Sequence, residues 1–267
     1  MVFLPPAFPG DRLTAYLVTD LTDDELKSIK SAFELGACSK FSPLLELKIV
    51  RAPEDYWGKP HQYIRAKENE AGRKEAFAVI DDEAKERGAI WYMEQFASEE
   101  EVEDGEAEST NVVFKILIQT EALALAQVNY AIANMSVGED LDNCGVHSPF
   151  TNDFHQPDLH DCGGFDWVDQ QKYQDAWVTA EPGEYEESTD DELRNNYMPR
   201  PAKVARLKED VAKSIGLTSS WSIPSQAKTI EYDDGTKREF PPGSVILQQR
   251  YDPDFPWPEY QWPEGSL

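Results

Sequence analysis

Apolar residues recur at helical spacing in the stretch that follows Thr22. Leu26, Ile29 and Phe33 share one face of a helix. Thr22, with Glu25 three residues later, makes a capping box, which is a common start signal of a helix. These residues predict the first helix of the chain.

Several later apolar runs are too short for helices and predict β-strands. They cover residues 44–50, 77–80, 89–93, 112–119 and 244–251. The dipeptide Asp234-Gly235 between two further short runs predicts a hairpin. Helical spacing returns in two stretches, at 121–135 and at 201–215. Together these elements predict an α+β fold, with a mixed or antiparallel sheet and a few helices.

No sustained period is found between residues 139 and 188, which are rich in Asp, Gly, Pro and aromatic residues. A structureless stretch of this length is unusual inside a compact domain, so we expect an ordered irregular insertion or a functional loop. We therefore divide the chain into an α+β core over 1–138, an irregular acidic insertion over 139–188, and a final part over 189–267. That final part is a helix, a hairpin and an aromatic, proline-rich tail, all packing on the same core.

Acidic residues concentrate in the middle of the chain. The protein has 267 residues, with 51 Asp and Glu, 25 Lys and Arg, and a formal charge of −26. Residues 98–192 contain 24 of these acids and only two bases, Lys115 and Lys172. The run 99–108 has seven acids and no base, and it predicts a solvated loop. Such a segment repels nucleic acid and anionic membranes, so the expected partner is a basic protein or a polar small molecule.

The compartment is expected to be the cytoplasm. The N-terminal residues lack a secretory signal pattern, and no apolar window is long enough to span a bilayer. Three cysteines in a chain of this length do not suggest a disulfide framework, which favours a reducing environment.

The run Asn129-Tyr130-Ala131-Ile132-Ala133-Asn134-Met135 follows the predicted strand 112–119. This run resembles the closing motif of an uncharacterised bacterial and fungal domain family of unknown function. The resemblance covers roughly residues 44–150 and rests mainly on the Asn129–Met135 run. It implies a small α+β unit and no particular activity.

A cluster of metal-binding side-chain types lies between residues 144 and 162. It contains two of the three cysteines and three of the four histidines. Cys144, His147, His160 and Cys162 form the most economical set for a structural zinc ion, since thiolates and imidazoles are its usual ligands. The spacing matches no familiar zinc motif, and ordinary packing and surface roles are the main alternative.

Cys162 also allows a different interpretation, as a nucleophile. His160 lies two residues before it, and Gly163-Gly164 follow it. A thiolate beside an imidazole is the usual form of a catalytic cysteine. The surrounding acids argue against this role because they raise the pKa of a thiol.

Aromatic residues in the acidic segment suggest a ligand-binding surface. Trp167, Tyr173 and Trp177 are the candidates, because rings set among acids bind cations and sugars or anchor partners. Core packing is the alternative for these rings.

Two functional hypotheses remain. The first is a cytosolic acidic protein that binds a basic partner or a polar ligand through residues 98–192, without a cofactor. The alternative is an enzyme with its site at the Cys/His cluster 144–162, either metal-assisted with zinc as the cofactor or metal-free. No P-loop, dinucleotide fingerprint, G-x-S-x-G or H-E-x-x-H motif is present, which excludes the commonest nucleotide-binding, α/β-hydrolase and zincin classes but not enzymes in general.

Overall fold

The chain folds into two compact units. The computed structural model describes residues 2–3, 11–37, 44–171, 174–227, 229–231 and 235–267. The larger unit comprises Gly10–Trp167 and Tyr260–Leu267, and the smaller unit comprises Met1–Pro9 and Val168–Glu259. This division differs from the predicted segments because the tail is shared between the units and because the short strand β1, Val2–Phe3, pairs within the smaller unit.

The larger unit alternates strands with helices along most of its length. Its strands are β2 Asp11–Leu17, β3 Leu45–Arg51, β4 Phe77–Ile80, β5 Ala89–Phe96 and β6 Val113–Gln119. Its helices are α1 Asp23–Ala37, α2 His61–Glu70, α3 Asp82–Arg87, α4 Glu99–Glu103, α5 Leu123–Ala131 and α6 Val137–Asn143, with 3-10 turns at Glu54–Tyr56 and Thr120–Ala122.

These strands form one mixed sheet in the order β3-β2-β4-β5-β6. β2 runs parallel to β3 and to β4, whereas β4–β5 and β5–β6 are antiparallel pairs. The parallel pairs require crossover connections, which α1 and α2 supply.

Helices cover both faces of this sheet. Phe33 of α1 and Leu123 of α5 belong to the core on one face, and Ile64 of α2 belongs to the core on the other. β6 contributes to both cores, with Ile116 on the first face and Leu117 on the second. A strand buried on both faces is apolar throughout, which explains why residues 112–119 lack a clean alternation of apolar and polar positions.

The first helix begins as its capping box predicts. The Thr22 backbone N–H donates to Glu25 Oε2 at 2.7 Å, and the Glu25 N–H donates to Thr22 Oγ1 at 3.3 Å. Together these two hydrogen bonds satisfy backbone donors that the first helical turn leaves without intrahelical partners.

Two charged stretches contain short helices that the apolar pattern did not predict. Residues 99–103 form α4 rather than a solvated loop, because Ser98 and Glu101 make a complete capping box. The charged stretch after β4 forms α3, where Asp81 Oδ1 accepts from the Ala84 N–H at 2.9 Å. In both cases capping hydrogen bonds stabilise a short helix that the apolar pattern does not predict.

The smaller unit begins within α7, Trp167–Gln170, and is built mainly from antiparallel strands. Its further strands are β7 Asp175–Ala180, β8 Tyr185–Ser188, β9 Val204–Leu207, β10 Leu217–Thr218, β11 Ser225–Gln226, β12 Ile230–Glu231, β13 Lys237–Arg238 and β14 Val245–Tyr251, and its further helices are α8 Asp191–Arg194 and α9 Glu209–Ser214. The main sheet has the order β1-β7-β14-β10, and β11 also pairs with β14.

The predicted helix over 201–215 is only partly present. Residues 204–207 form β9, which pairs with β8, and the helix is confined to α9. The apolar spacing reflects a buried strand followed by a short helix, since Val204, Leu207 and Ala212 are all fully buried. The α+β class with mixed and antiparallel sheets is nevertheless confirmed. In the described ranges, no helix has the length and apolar character needed to cross a bilayer.

Candidate functional site

A cavity of about 660 Å³ opens in the larger unit beside the end of β6. Its walls come from Gln119 of β6, from α5, from α6 and from the segment 158–163. Three aspartates lie in this lining, namely Asp140, Asp158 and Asp161. We refer to this cavity as the acidic pocket.

The segment 150–162 follows the open edge of β6 and thereby forms one wall of the acidic pocket. The His160 N–H donates to Leu117 O at 3.1 Å, and the Gln119 N–H donates to His160 O at 2.9 Å. These bonds place His160 in a parallel bridge with Ile118, as a strand would be placed. This part of the predicted irregular insertion is therefore an ordered cover for a sheet edge, which otherwise exposes unpaired backbone groups.

The side chain of Gln156 attaches this segment to β6. Its side chain is fully buried. Gln156 Oε1 accepts from the Leu117 N–H at 2.8 Å, and Nε2 donates to Leu117 O and Asp158 O, each at 2.8 Å. One amide side chain thus satisfies three buried backbone groups at the edge of β6.

The pocket residue Asp140 contacts two other polar side chains. The Tyr130 hydroxyl donates to Asp140 Oδ2 at 2.8 Å, and His160 Nε2 lies 3.3 Å from the same oxygen. Asp140 is 4% exposed, so its carboxylate depends on these partners. Burial lowers the pKa of His160, although Asp140 acts in the opposite direction, and burial raises the pKa of Tyr130. The imidazole is therefore neutral at pH 7, and the phenol keeps its proton.

The geometry around Cys162 does not match a nucleophilic dyad. Cys162 Sγ lies 3.4 Å from His160 Nε2, the same nitrogen that faces Asp140. In a catalytic triad the base accepts from the nucleophile with one ring nitrogen and is oriented through the other. When Nε2–H donates to Asp140, this nitrogen has no lone pair for the thiol proton, and the thiol donates instead to Ala122 O at 3.6 Å.

Both cysteines in the pocket are held as thiols. Burial raises the pKa of Cys162 to about 12 and the pKa of Cys144 to about 11, and nearby aspartates act in the same direction. The two cysteines are free of disulfide bonds. Thiolate chemistry is disfavoured at both positions.

Backbone strain also concentrates at this pocket. Within the described ranges, Ala133 and Cys162 are the two non-glycine residues with positive φ, at 54° and 57°. Cys162 lines the pocket directly, and Ala133 lies between the lining residues Asn129 and Met135. Strained residues of this kind are often found at binding and catalytic sites, which makes this cavity a candidate functional site.

Ala133 occupies a helix C-cap position that glycine normally fills. The Asn134 N–H donates to Asn129 O at 2.9 Å and the Ala133 N–H donates to Tyr130 O at 3.1 Å, which is the Schellman pattern. We expect Ala133→Gly to raise the free energy of unfolding by about 0.5–1 kcal/mol, because relief of the left-handed strain exceeds the entropic cost of glycine.

Urea denaturation measures this change. The control is Ala131→Gly, at an exposed residue of α5. There glycine should lower stability by about 0.5–1 kcal/mol, because the backbone is helical. The same sign for the two variants would contradict the strain at Ala133.

The structure brings together three of the four predicted zinc ligands. Cys144, His160 and Cys162 all line the acidic pocket. His147 lies outside this lining, with a side chain that is 73% exposed and paired with Asp142 at 2.5 Å. Among the described residues no group of three or more His, Cys, Asp or Glu side chains is arranged to hold a metal ion. Zinc binding by this set therefore stays a prediction without geometric support.

Two of the three predicted aromatic ligand-binding residues fall in different parts of the described chain. Trp167 belongs to the larger unit, where it is partly buried against the core and contacts Phe165 at 5.5 Å between ring centroids. Trp177 belongs to β7 of the smaller unit and is 49% exposed. Tyr173 lies outside the described residues.

Sequence reasoning missed Tyr130 and Asp140 as parts of the site. Tyr130 belongs to the Asn129–Met135 run, which was noted only for its resemblance, and Asp140 is one of many acids in this segment. Neither a spacing nor a motif links these residues to His160. Only the packing of α5 and α6 against β6 places them together.

Comparison with known proteins identifies no relatives: no family model, curated protein or solved structure matches this chain. The functional interpretation therefore rests on the geometry of the acidic pocket, and the resemblance of residues 44–150 stays a prediction.

Proposed function

We propose that this protein is a binding protein whose acidic pocket takes a positively charged group. The group would be carried by a small amine or by a basic side chain of a protein partner. The observation that carries this proposal is the charge of the lining: three aspartates and no lysine or arginine among its described residues.

The neutral state of His160 strengthens this electrostatic preference. Because burial lowers its pKa, the imidazole does not offset the negative charge of Asp140 at pH 7. The acceptors that this lining offers are therefore its carboxylates, which favour a ligand rich in N–H donors.

The pocket volume suits a small organic cation or an inserted side chain. A volume of about 660 Å³ lies within the usual range of ligand sites, about 300–1,000 Å³. The amide side chains of Gln119, Asn129 and Asn143 add neutral polar groups to the lining, which orient a ligand without adding charge. The acidic segment 98–192 would increase the association rate of a cation, and this steering weakens with salt.

An enzymatic function receives less support. The His160 nitrogen that would activate Cys162 already faces Asp140, and both cysteines keep their protons. The metal-assisted version lacks an assembled set of ligands in the described residues. Calorimetric titration with zinc alone tests that version directly.

Asp161→Asn is expected to weaken binding of a cation about five- to tenfold, which corresponds to about 1–1.4 kcal/mol. Asparagine keeps the side-chain oxygen that accepts from the Gly163 N–H at 2.9 Å, so the local turn is preserved while the charge is removed. Isothermal titration calorimetry at low salt would use spermidine, hexalysine and, as an anion, glutarate.

The matched control for this variant is Asp104→Asn. Asp104 is exposed, lies in the same acidic segment and is not part of the pocket lining, so its substitution makes the same change in net charge. Affinity should stay within twofold of the unmodified protein. Spermidine binding alone indicates a small-amine ligand, and hexalysine binding alone indicates a basic protein. Equal losses in the two variants, or no binding of either cation, would contradict the proposal.

A further inference from the structure

Three ionisable side chains form a row on the second face of the mixed sheet, the face that α2 covers. They are Asp81, His61 and Lys115. His61, in the first turn of α2, has Nε2 3.1 Å from Asp81 Oδ2. Its other ring nitrogen, Nδ1, lies 3.4 Å from Lys115 Nζ. The His61 side chain is 10% exposed and Lys115 is 7% exposed, so solvent contributes little to these contacts.

The partners determine which nitrogen of His61 carries the proton. A lysine ammonium only donates hydrogen bonds, so Nδ1 must accept from Lys115. Nε2 then carries the proton and donates it to the Asp81 carboxylate. This arrangement requires a neutral His61, because a protonated imidazole has no acceptor to offer Lys115.

Lys115 connects this line of residues to the segment that builds the acidic pocket. Its Nζ donates to Asn152 O at 2.9 Å and lies 5.1 Å from the centroid of the Phe154 ring. The Asn152 side chain accepts from the Val113 N–H at 3.0 Å, which joins the same segment to β6. A few residues later the chain reaches Asp158, where the pocket lining begins.

The charged groups around His61 act in both directions. Asp81 and, from α3, Glu83 favour its protonation, whereas Lys115 from β6 opposes it. Asp81, Glu83 and Asp153 favour the charged form of Lys115. Burial is the largest effect on both, and it lowers the pKa of His61 and the pKa of Lys115.

We propose that His61 is an acid-sensitive latch, whose protonation places a second positive charge beside Lys115 and loosens the attachment of segment 150–162 to β6. The position of this segment determines the shape of the acidic pocket, so acid would also release a ligand held there. The release of a ligand rests on the proposed function, whereas the loosening of the segment from β6 does not.

The direction of the pH dependence follows from the pKa of His61 in the folded and the unfolded protein. In the folded protein the pKa of His61 lies below its ordinary value of about 6.5, so the unfolded chain binds the proton more readily. The stabilisation from neutral His61 is therefore fully present above about pH 6.5 and is lost as the pH falls below it. Local detachment of the segment from β6 therefore also becomes more favourable as the pH falls.

Amide hydrogen exchange of the ligand-free protein tests the latch. The reporters are the Leu117 and Gln119 amides, which donate to Gln156 Oε1 and His160 O in the attached segment. After correction for the intrinsic effect of pH, their protection factors should fall about five- to tenfold between pH 7.5 and pH 5.5, because one histidine with an open-state pKa of about 6.5 contributes at most a tenfold change. The Ala52 amide, bonded to Leu17 O elsewhere in the sheet, should keep its protection.

Two variants decide whether His61 is responsible. His61→Gln, which cannot gain a proton, should abolish the pH-dependent loss, and His155→Gln, at an exposed histidine of the same segment, should leave it unchanged. If His61→Gln does not fold, Lys115→Met serves instead, because protonation of His61 then creates no pair of like charges and the loss should shrink.

The proposal is overturned if the unmodified protein keeps its protection at pH 5.5, or if His155→Gln rather than His61→Gln abolishes the loss. Since no ligand is present, a positive result together with a failure to bind spermidine or hexalysine would leave the latch intact and remove only the proposed function.

Discussion

Arg65→Met is expected to lower the free energy of unfolding by about 3–5 kcal/mol. Arg65 is completely buried, and Nη1 donates to Glu75 O at 2.9 Å and Glu94 O at 3.1 Å. Nη2 donates to Asn69 Oδ1 at 2.6 Å and to Arg73 O. Methionine fills much of the same volume but removes all four of these hydrogen bonds, and each such bond contributes about 0.5–1.5 kcal/mol.

Urea denaturation of the larger unit, followed by tryptophan fluorescence, measures this effect. The control is Arg12→Met, because Arg12 is an exposed residue whose side chain pairs with Glu46 at 2.8 Å. A surface ion pair contributes at most about 1 kcal/mol, so this variant should remain close to the unmodified protein. A difference of less than about 1 kcal/mol between the two variants would show that the Arg65 hydrogen bonds contribute little.

Gln156→Leu should have the second largest effect, a loss of about 2–4 kcal/mol together with impaired binding in the acidic pocket. Leucine is similar in size to glutamine but makes no hydrogen bonds, so the Leu117 N–H and the Asp158 carbonyl lose their bonds to this side chain, and the Leu117 carbonyl keeps only its bond from the His160 N–H. Since these bonds attach the pocket wall to β6, stability and ligand affinity should fall together.

Calorimetry and urea denaturation on one preparation test both parts of this prediction. The control is Gln95→Leu, because Gln95 is an exposed residue of β5 and its substitution should change stability by no more than about 0.5 kcal/mol. A stable Gln156→Leu variant with unchanged affinity would show that the segment is held in place by other contacts.

Local signals in the sequence were sufficient for several elements of the fold. The Thr22–Glu25 capping box and the apolar face after it predicted α1, and both hydrogen bonds of the box are present. The apolar run 112–119 predicted β6, whose burial on both faces accounts for its composition. These elements were predictable because their cause lies within a few neighbouring residues.

Other elements depended on partners far along the chain. Residues 204–207 have spacing compatible with a helix, yet they form β9 because β8 supplies a strand for them to pair with. β2 was not predicted at all, although it lies inside the sheet between β3 and β4. Tertiary pairing outweighs a weak local preference in such segments.

The candidate site was also only partly predictable from the sequence. The density of cysteines and histidines directed attention to residues 144–162, and three of the four residues named as zinc ligands do line the acidic pocket. The density did not reveal that His147 points to solvent, because exposure depends on the fold around it. The density of cysteines and histidines also did not suggest a role for Lys115, which stands out in the sequence only as one of two bases in the acidic segment.

By itself, the sequence determined where the charge lies, where the first helix begins and which strands are apolar, since each of these depends on composition or on near neighbours. Only the tertiary structure decided that segment 150–162 covers the edge of β6 and that Asp140 faces His160. The same holds for the contact of His61 with Lys115, 54 residues away. The physical reason is that unpaired backbone groups and buried charges must find partners, and those partners become neighbours only when the sheet is assembled.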